Sequence, residues 1–179
     1  MTGTVTVSEA GTPLEFTVED ANRYHGPGFP GGVAHGFCVV QHAVALLGEN
    51  GAEPVERREV SVRTAFGGPG GRDAHELVLR AVTDGRYVVD PELAETGRGP
   101  VLARYVWEYT YRGRTVRLHL RDEGLVTEEF ITLGAKPDRT PEEDAHLEVL
   151  KSEMAQRLLE RPVGQVYEEV PARAAAGTN

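Results

Sequence analysis

Cysteine and tryptophan are nearly missing from this chain: one of each occurs in 179 residues. A lone cysteine cannot close an internal disulfide, so nothing here depends on an oxidising compartment, and a cytoplasmic protein is expected. Positive charge is also scarce. Nineteen Lys and Arg face 28 Asp and Glu, giving a net charge of -9 with no basic cluster to offset it. Nucleic acid and anionic membrane surfaces are therefore excluded as expected partners. No apolar run approaches the length of a membrane span, and Met1 to Val7 lacks a basic segment followed by an apolar one, so no secretory signal is expected. There is no internal repeat. The chain suits one domain over residues 1–170 with its own core, followed by a flexible Ala-rich tail over 171–179.

Glycine, by contrast, is abundant and clustered. Gly26, Pro27, Gly28, Pro30, Gly31 and Gly32 form a loop that runs straight into an apolar helix expected over Gly32 to Leu47 and ended by Gly48. Three of the six histidines (His25, His35 and His42) and Cys38 lie in this span. Glycine turns bring backbone N–H groups to a helix mouth, where the dipole also favours negative charge. At 100° per residue, His35, Cys38 and His42 fall together beside a wide apolar arc. They point to a pocket or a partner.

A second glycine loop, Gly67 to Gly71, precedes Arg72, Asp73, Ala74, His75 and Glu76 at the start of a helix expected to run to Thr83. It is neither a Walker loop nor a dinucleotide fingerprint. Free N–H groups with Arg72 suit a carboxylate or phosphate, and Asp73 alternatively serves as a helix cap. Arg63, on a strand expected over Arg57 to Phe66, could assist from the sheet.

Elsewhere the chain reads plainly. Thr17 and Asp20 form a capping box for a short helix to Tyr24. Thr4 to Val7 alternates as an edge strand, and Arg86 to Asp90 as another short strand. Val101 to Tyr111 and Arg114 to Arg121 form a hairpin that sets Tyr109 against Val116, Trp107 against Leu118 and Glu108 against Arg117. Leu125 to Leu133 favours a short helix. Thr140, Pro141 and Glu143 start a last helix that Pro162 stops. These elements give an α+β domain with helices packed on a mostly antiparallel sheet.

The short helix leading into Tyr24-His25-Gly26, the Pro30-Gly31 pair and the apolar helix behind them are similar to a known family. So are Asp73-Ala74-His75-Glu76, Arg80-Ala81-Val82-Thr83, Glu128-Glu129-Phe130 and the ending at Arg161-Pro162 with Val166-Tyr167. From about Phe16 to Glu168 the chain resembles the small proteins grouped with the E subunit of formylmethanofuran dehydrogenase. That resemblance implies the family's α+β fold, a homodimer, and a pocket at the first glycine loop. The family's second His and its Cys fall at Pro27 and Phe29 here, and its later Cys at Ala81. His25 alone keeps its place, so an inherited metal site would be incomplete unless His35, Cys38 or His42 has taken over.

Two functional readings stand. In the first, the chain is a non-redox lyase, isomerase or cyclising enzyme on a small anionic substrate. His25, His35 and Cys38 then supply acid, base or nucleophile, and Gly28, Gly31, Gly32, Arg63, Arg72, Asp73 and His75 bind substrate. No cofactor motif is present, so no cofactor is expected. In the second, the chain is a binding or accessory protein without turnover, and His25, His35 and Cys38 hold zinc or another transition metal. Cys38 and His42 read equally as satisfied core residues.

Overall fold

The computed structural model describes residues 3–49 and 54–172; the tail expected over 171–179 lies outside the described residues from 173 on. Among them are seven strands and six α-helices. β1 (Val5–Glu9) and β2 (Thr12–Phe16) make a separate antiparallel hairpin rather than one edge strand. Ala10 and Gly11 turn between them at φ 51 and 78°, the twin left-handed residues a two-residue hairpin needs. α1 (Val18–His25) follows, started by the Thr17/Asp20 capping box.

The main sheet has the order β4-β3-β5-β6-β7, built from Tyr87–Val89, Ser61–Thr64, Val106–Tyr111, Arg114–Leu120 and Tyr167–Val170. Only β3 and β4 run parallel. The fold is thus α+β with a mostly antiparallel sheet. The β5–β6 register is the expected one, with Tyr109 opposite Val116, Trp107 opposite Leu118 and Glu108 opposite Arg117. β5 begins at Val106, later than Val101, because α4 (Gly99–Leu102) coils that stretch and Tyr105 N–H bonds to Leu102 O. β3 is likewise shorter than expected, since Arg57–Glu59 forms a 3-10 turn that buries the Arg57 side chain. The closing strand β7 had no periodic signal in the sequence.

One sheet face packs on the helices and the other carries charge. On the polar face Asp90, Arg63, Glu108, Arg117, Glu95, His119 and Glu168 join in one ladder of contacts between 2.5 and 3.1 Å. Alternation along the strands places these groups together and leaves Trp107, Tyr109, Leu118, Leu120 and Tyr167 on the inner face, all unexposed. His119, which reads as an ordinary surface residue, is an inner rung of the ladder.

α2 (Pro30–Leu47) lies on that inner face and is the core helix. It is long and apolar enough to cross a membrane by length and composition, contrary to expectation, but 67% of it is buried inside the protein. α3 (Pro69–Leu79) packs along it. α3 starts at Pro69 rather than Arg72, because proline suits the first helical position. It ends before Thr83, since Arg80 is left-handed at φ 54° and the Glu76 carboxylate takes the N–H groups of Val82 and Thr83. α5 (Glu128–Ala135) and α6 (Pro141–Leu159) close the layer, each begun by a threonine cap.

α2 and α3 meet backbone to backbone. A Cβ on Gly36 would stand 2.7 Å from Gly71 Cα and 2.9 Å from Ala74 Cβ. One on Gly70 would stand 2.5 Å from Val33 N. Gly32 likewise faces Gly70. The contacts advance along both helices together, so their N-termini lie side by side.

Candidate functional site

Both of those N-termini are open. Neither α2 nor α3 has a side-chain cap, and each begins with proline. The N–H groups of Gly31, Gly32, Gly70 and Gly71 therefore have no intrahelical acceptor. Two positive dipole ends side by side repel one another, and an anion held between them relieves that repulsion.

A cavity of about 510 Å³ opens at this point, within the usual range for small-molecule sites of roughly 300–1,000 Å³. Gly31, Gly32, Gly67, Gly68 and Gly70 form one wall, and Phe29, Phe66, Tyr105, Phe130 and Met154 supply apolar surface. Arg104 and Lys151 line it as well, and no Asp or Glu does. In a chain of net charge -9 that is a selective placement of positive charge. Lys151 is held by Glu148 at 2.7 Å and sits over the Phe29 ring at 4.9 Å. Arg104 is exposed and has no ion-pair partner among the described residues.

His35 forms part of the floor. Its imidazole has no surface open to solvent, and burial pushes its pKa down to about 3. It is therefore neutral at any ordinary pH. Nδ1 lies 2.6 Å from the Tyr167 hydroxyl. Tyr167 is also buried, and burial together with the neighbouring Cys38 sulfur holds its proton on. We assign the Tyr167 O–H as donor to Nδ1, which leaves the proton of His35 on Nε2. Nε2 has no partner. Tyr167 takes no part in the cavity wall, whereas Tyr105, 4.5 Å from the imidazole, and Phe66, 6.0 Å away, both do. His35 lines the cavity, and of its two ring nitrogens Nε2 is the one without a partner among the described residues.

The remaining residues singled out in the sequence disperse. Cys38 has no exposed surface, does not line the cavity, and contacts Leu158 O at 3.8 Å. It sits one turn from His35 on the helix, but α6 covers it, so the two do not share one space as expected. His25 Nδ1 pairs with Asp73 Oδ2 at 2.7 Å, tying α1 to α3. That pair lies behind Phe29, whose ring is 5.9 Å from the imidazole, and neither residue is in the wall. His75 is sealed in the core. Its Nδ1–H donates to Gly71 O at 2.7 Å and its Nε2 accepts from Tyr109 O–H at 2.6 Å, with burial lowering its pKa to about 4. Arg63 lies on the far face of the sheet in the ladder with Asp90 and Glu108. Arg72 is exposed, and Gly28 is outside the wall.

His25, His35 and Cys38 therefore do not converge on one point, which corrects the expectation of a shared metal site. Among the described residues no group of three or more His, Cys, Asp or Glu stands together to hold a metal ion. No protein-family model matches the chain, and no curated protein matches it.

Sequence reading missed Arg104, Lys151, Tyr105 and Phe66. Tyr105 fell within the strand expected over Val101 to Tyr111. The α4 turn lifts it out of the strand and over the cavity instead.

Proposed function

We propose that this chain is a small-molecule enzyme that binds an organic anion in the cavity and supports proton-transfer chemistry at a carbonyl there. The unpartnered, buried Nε2–H of His35 carries this reading. A neutral imidazole held in place by Tyr167 is a fixed hydrogen-bond donor in a dry place, where such a donor has most effect on a developing negative charge. Removal of a proton from the carbon beside a carbonyl breaks that C–H bond and passes the proton to a water molecule that enters the cavity beside the ligand. The electron pair moves onto the carbonyl oxygen, and His35 Nε2–H stabilises it. Isomerases and lyases share this step. His35 acts by donating a hydrogen bond and keeps its proton, because giving it up would leave a charge in the buried pair.

The resemblance to the E-subunit family supports the same pocket, and with it a homodimer in the cytoplasm. The metal of that resemblance finds no cluster here. Binding without turnover is the second reading, favoured by a wall that offers no carboxylate base. Solvent-proton exchange separates the two. In deuterated buffer the protein should speed exchange of the protons beside the carbonyl in a panel of small oxo acids, followed by NMR. His35→Leu, which removes the donor, should reduce that rate on the order of 100-fold, the usual effect of losing one such donor. Binding with no acceleration of exchange would favour the accessory reading.

A further inference from the structure

The cavity is not uniform from rim to floor, and the difference describes its ligand. At the rim stands Arg104, exposed and with no ion-pair partner among the described residues. At the floor are His35, with no exposed surface and one spare N–H, and the rings of Phe66 and Tyr105, whose centroids are 5.2 Å apart. A charged group is stable at the rim, where water still reaches it. The floor offers one neutral donor among apolar rings, and a full charge there would lose its hydration for a single hydrogen bond. An uncharged acceptor does not bear that cost.

We infer that the ligand is a carboxylic acid with a planar, carbonyl-bearing apolar body, held with its carboxylate on Arg104 and its carbonyl oxygen on His35 Nε2–H. This rests on the reading of the cavity given above and narrows its substrate class to aryl or conjugated oxo acids. Guanidinium accepts a carboxylate through two parallel N–H bonds, so the rim orients the acid as well as attracting it. A planar body stacks against the Phe66 and Tyr105 rings that line the cavity. The His35 edge is covered in the empty protein, so entry of the ligand shifts those two rings. Trp107, the only tryptophan, lies 5.3 Å from Phe66 and 6.3 Å from Tyr105 and reports that shift.

The test uses four probes with the full chain, by calorimetry and Trp107 fluorescence. These are 4-acetylbenzoate, 4-isopropylbenzoate (no acceptor), acetophenone (no carboxylate) and inorganic phosphate. We expect 4-acetylbenzoate to bind about tenfold more tightly than either organic control, each having lost one hydrogen-bonded group. Phosphate should bind most weakly. Arg104→Ala, at an exposed position, should erase the advantage over acetophenone and keep that over 4-isopropylbenzoate. Equal binding of the three organic probes, tighter binding of phosphate, or an unaffected Arg104→Ala variant would overturn the inference and leave the exchange chemistry standing. If no probe binds, both fail. If 4-acetylbenzoate binds as described without exchange of its methyl protons, the ligand class holds and the enzymatic reading alone falls.

Discussion

Mild acid should destabilise this protein through two histidines that never touch bulk water. His35 and His75 are both 0% exposed, and burial lowers their pKa values to about 3 and about 4, against 6.5 for a free imidazole. Between those limits the unfolded chain binds protons that the folded chain refuses. Stability therefore rises with pH in that window and is lost as pH falls from 6.5 towards 4 and then 3. Each histidine contributes about 1.4 kcal/mol per pH unit there. From pH 7 to pH 5 the loss is about 2 kcal/mol for each and about 4 kcal/mol together. That is a large share of the roughly 5–15 kcal/mol that holds a domain folded. Carboxylates contribute little to this change. Glu76, for example, has burial outweighed by bonds from Thr83 and Val82, so its pKa is lowered and its share is lost only in stronger acid. Urea unfolding followed through buried Trp107 measures the effect directly. With a urea dependence of about 2 kcal/mol per M, the midpoint should fall by about 2 M between pH 7 and pH 5. A shift below about 0.5 M would mean that these imidazoles take up protons in the folded state, and the dry, neutral floor would be refuted.

Two further outcomes follow from packing. Gly36→Ala puts a methyl 2.7 Å from Gly71 Cα, so α2 and α3 must part; the cost should be about 1–3 kcal/mol, read as a lower Tm, with weaker binding of 4-acetylbenzoate because the helix ends separate. Cys38 should resist a thiol reagent in native buffer and react fully in urea, and Cys38→Ala should keep its ligand affinity within about twofold, since the sulfur is outside the cavity wall. Rapid modification of the native thiol would contradict its placement.

The hairpin was legible because three kinds of cross-strand pair agreed on one register: apolar on apolar, Glu108 on Arg117, and Thr110 on Thr115. Capping boxes at Thr17 and Thr140 were equally plain, being local chemistry within four residues. The glycine loops were legible as a site but not in their role. The second loop reads as a turn over Gly67 to Gly71, whereas Gly70 and Gly71 lie in the first turn of α3 and, with Gly32 and Gly36, let two backbones touch. Helical spacing put Cys38 and His35 on neighbouring faces and could not say that α6 would cover one and leave the other at a cavity. Arg104 carried no signal, and it has no ion-pair partner among the described residues. Strand β7 was hidden because its Glu168 and Glu169 break the apolar alternation, and Glu168 is explained only by His119 and Arg121 across the sheet. What escaped the sequence is thus what depends on contacts distant along the chain.

The central claim is that His35 stands neutral at the cavity floor with its proton on Nε2 and Tyr167 donating to Nδ1. Nitrogen NMR of the protein labelled with ¹⁵N-histidine, with the His35 signals assigned through a His35→Gln variant, tests it most directly. The account predicts a protonated, pyrrole-type Nε2 and an unprotonated Nδ1 that both hold steady from pH 7 to pH 5, with Nε2 shifting when 4-acetylbenzoate is added. A His35 that titrates near 6.5, or whose proton resides on Nδ1, would contradict it.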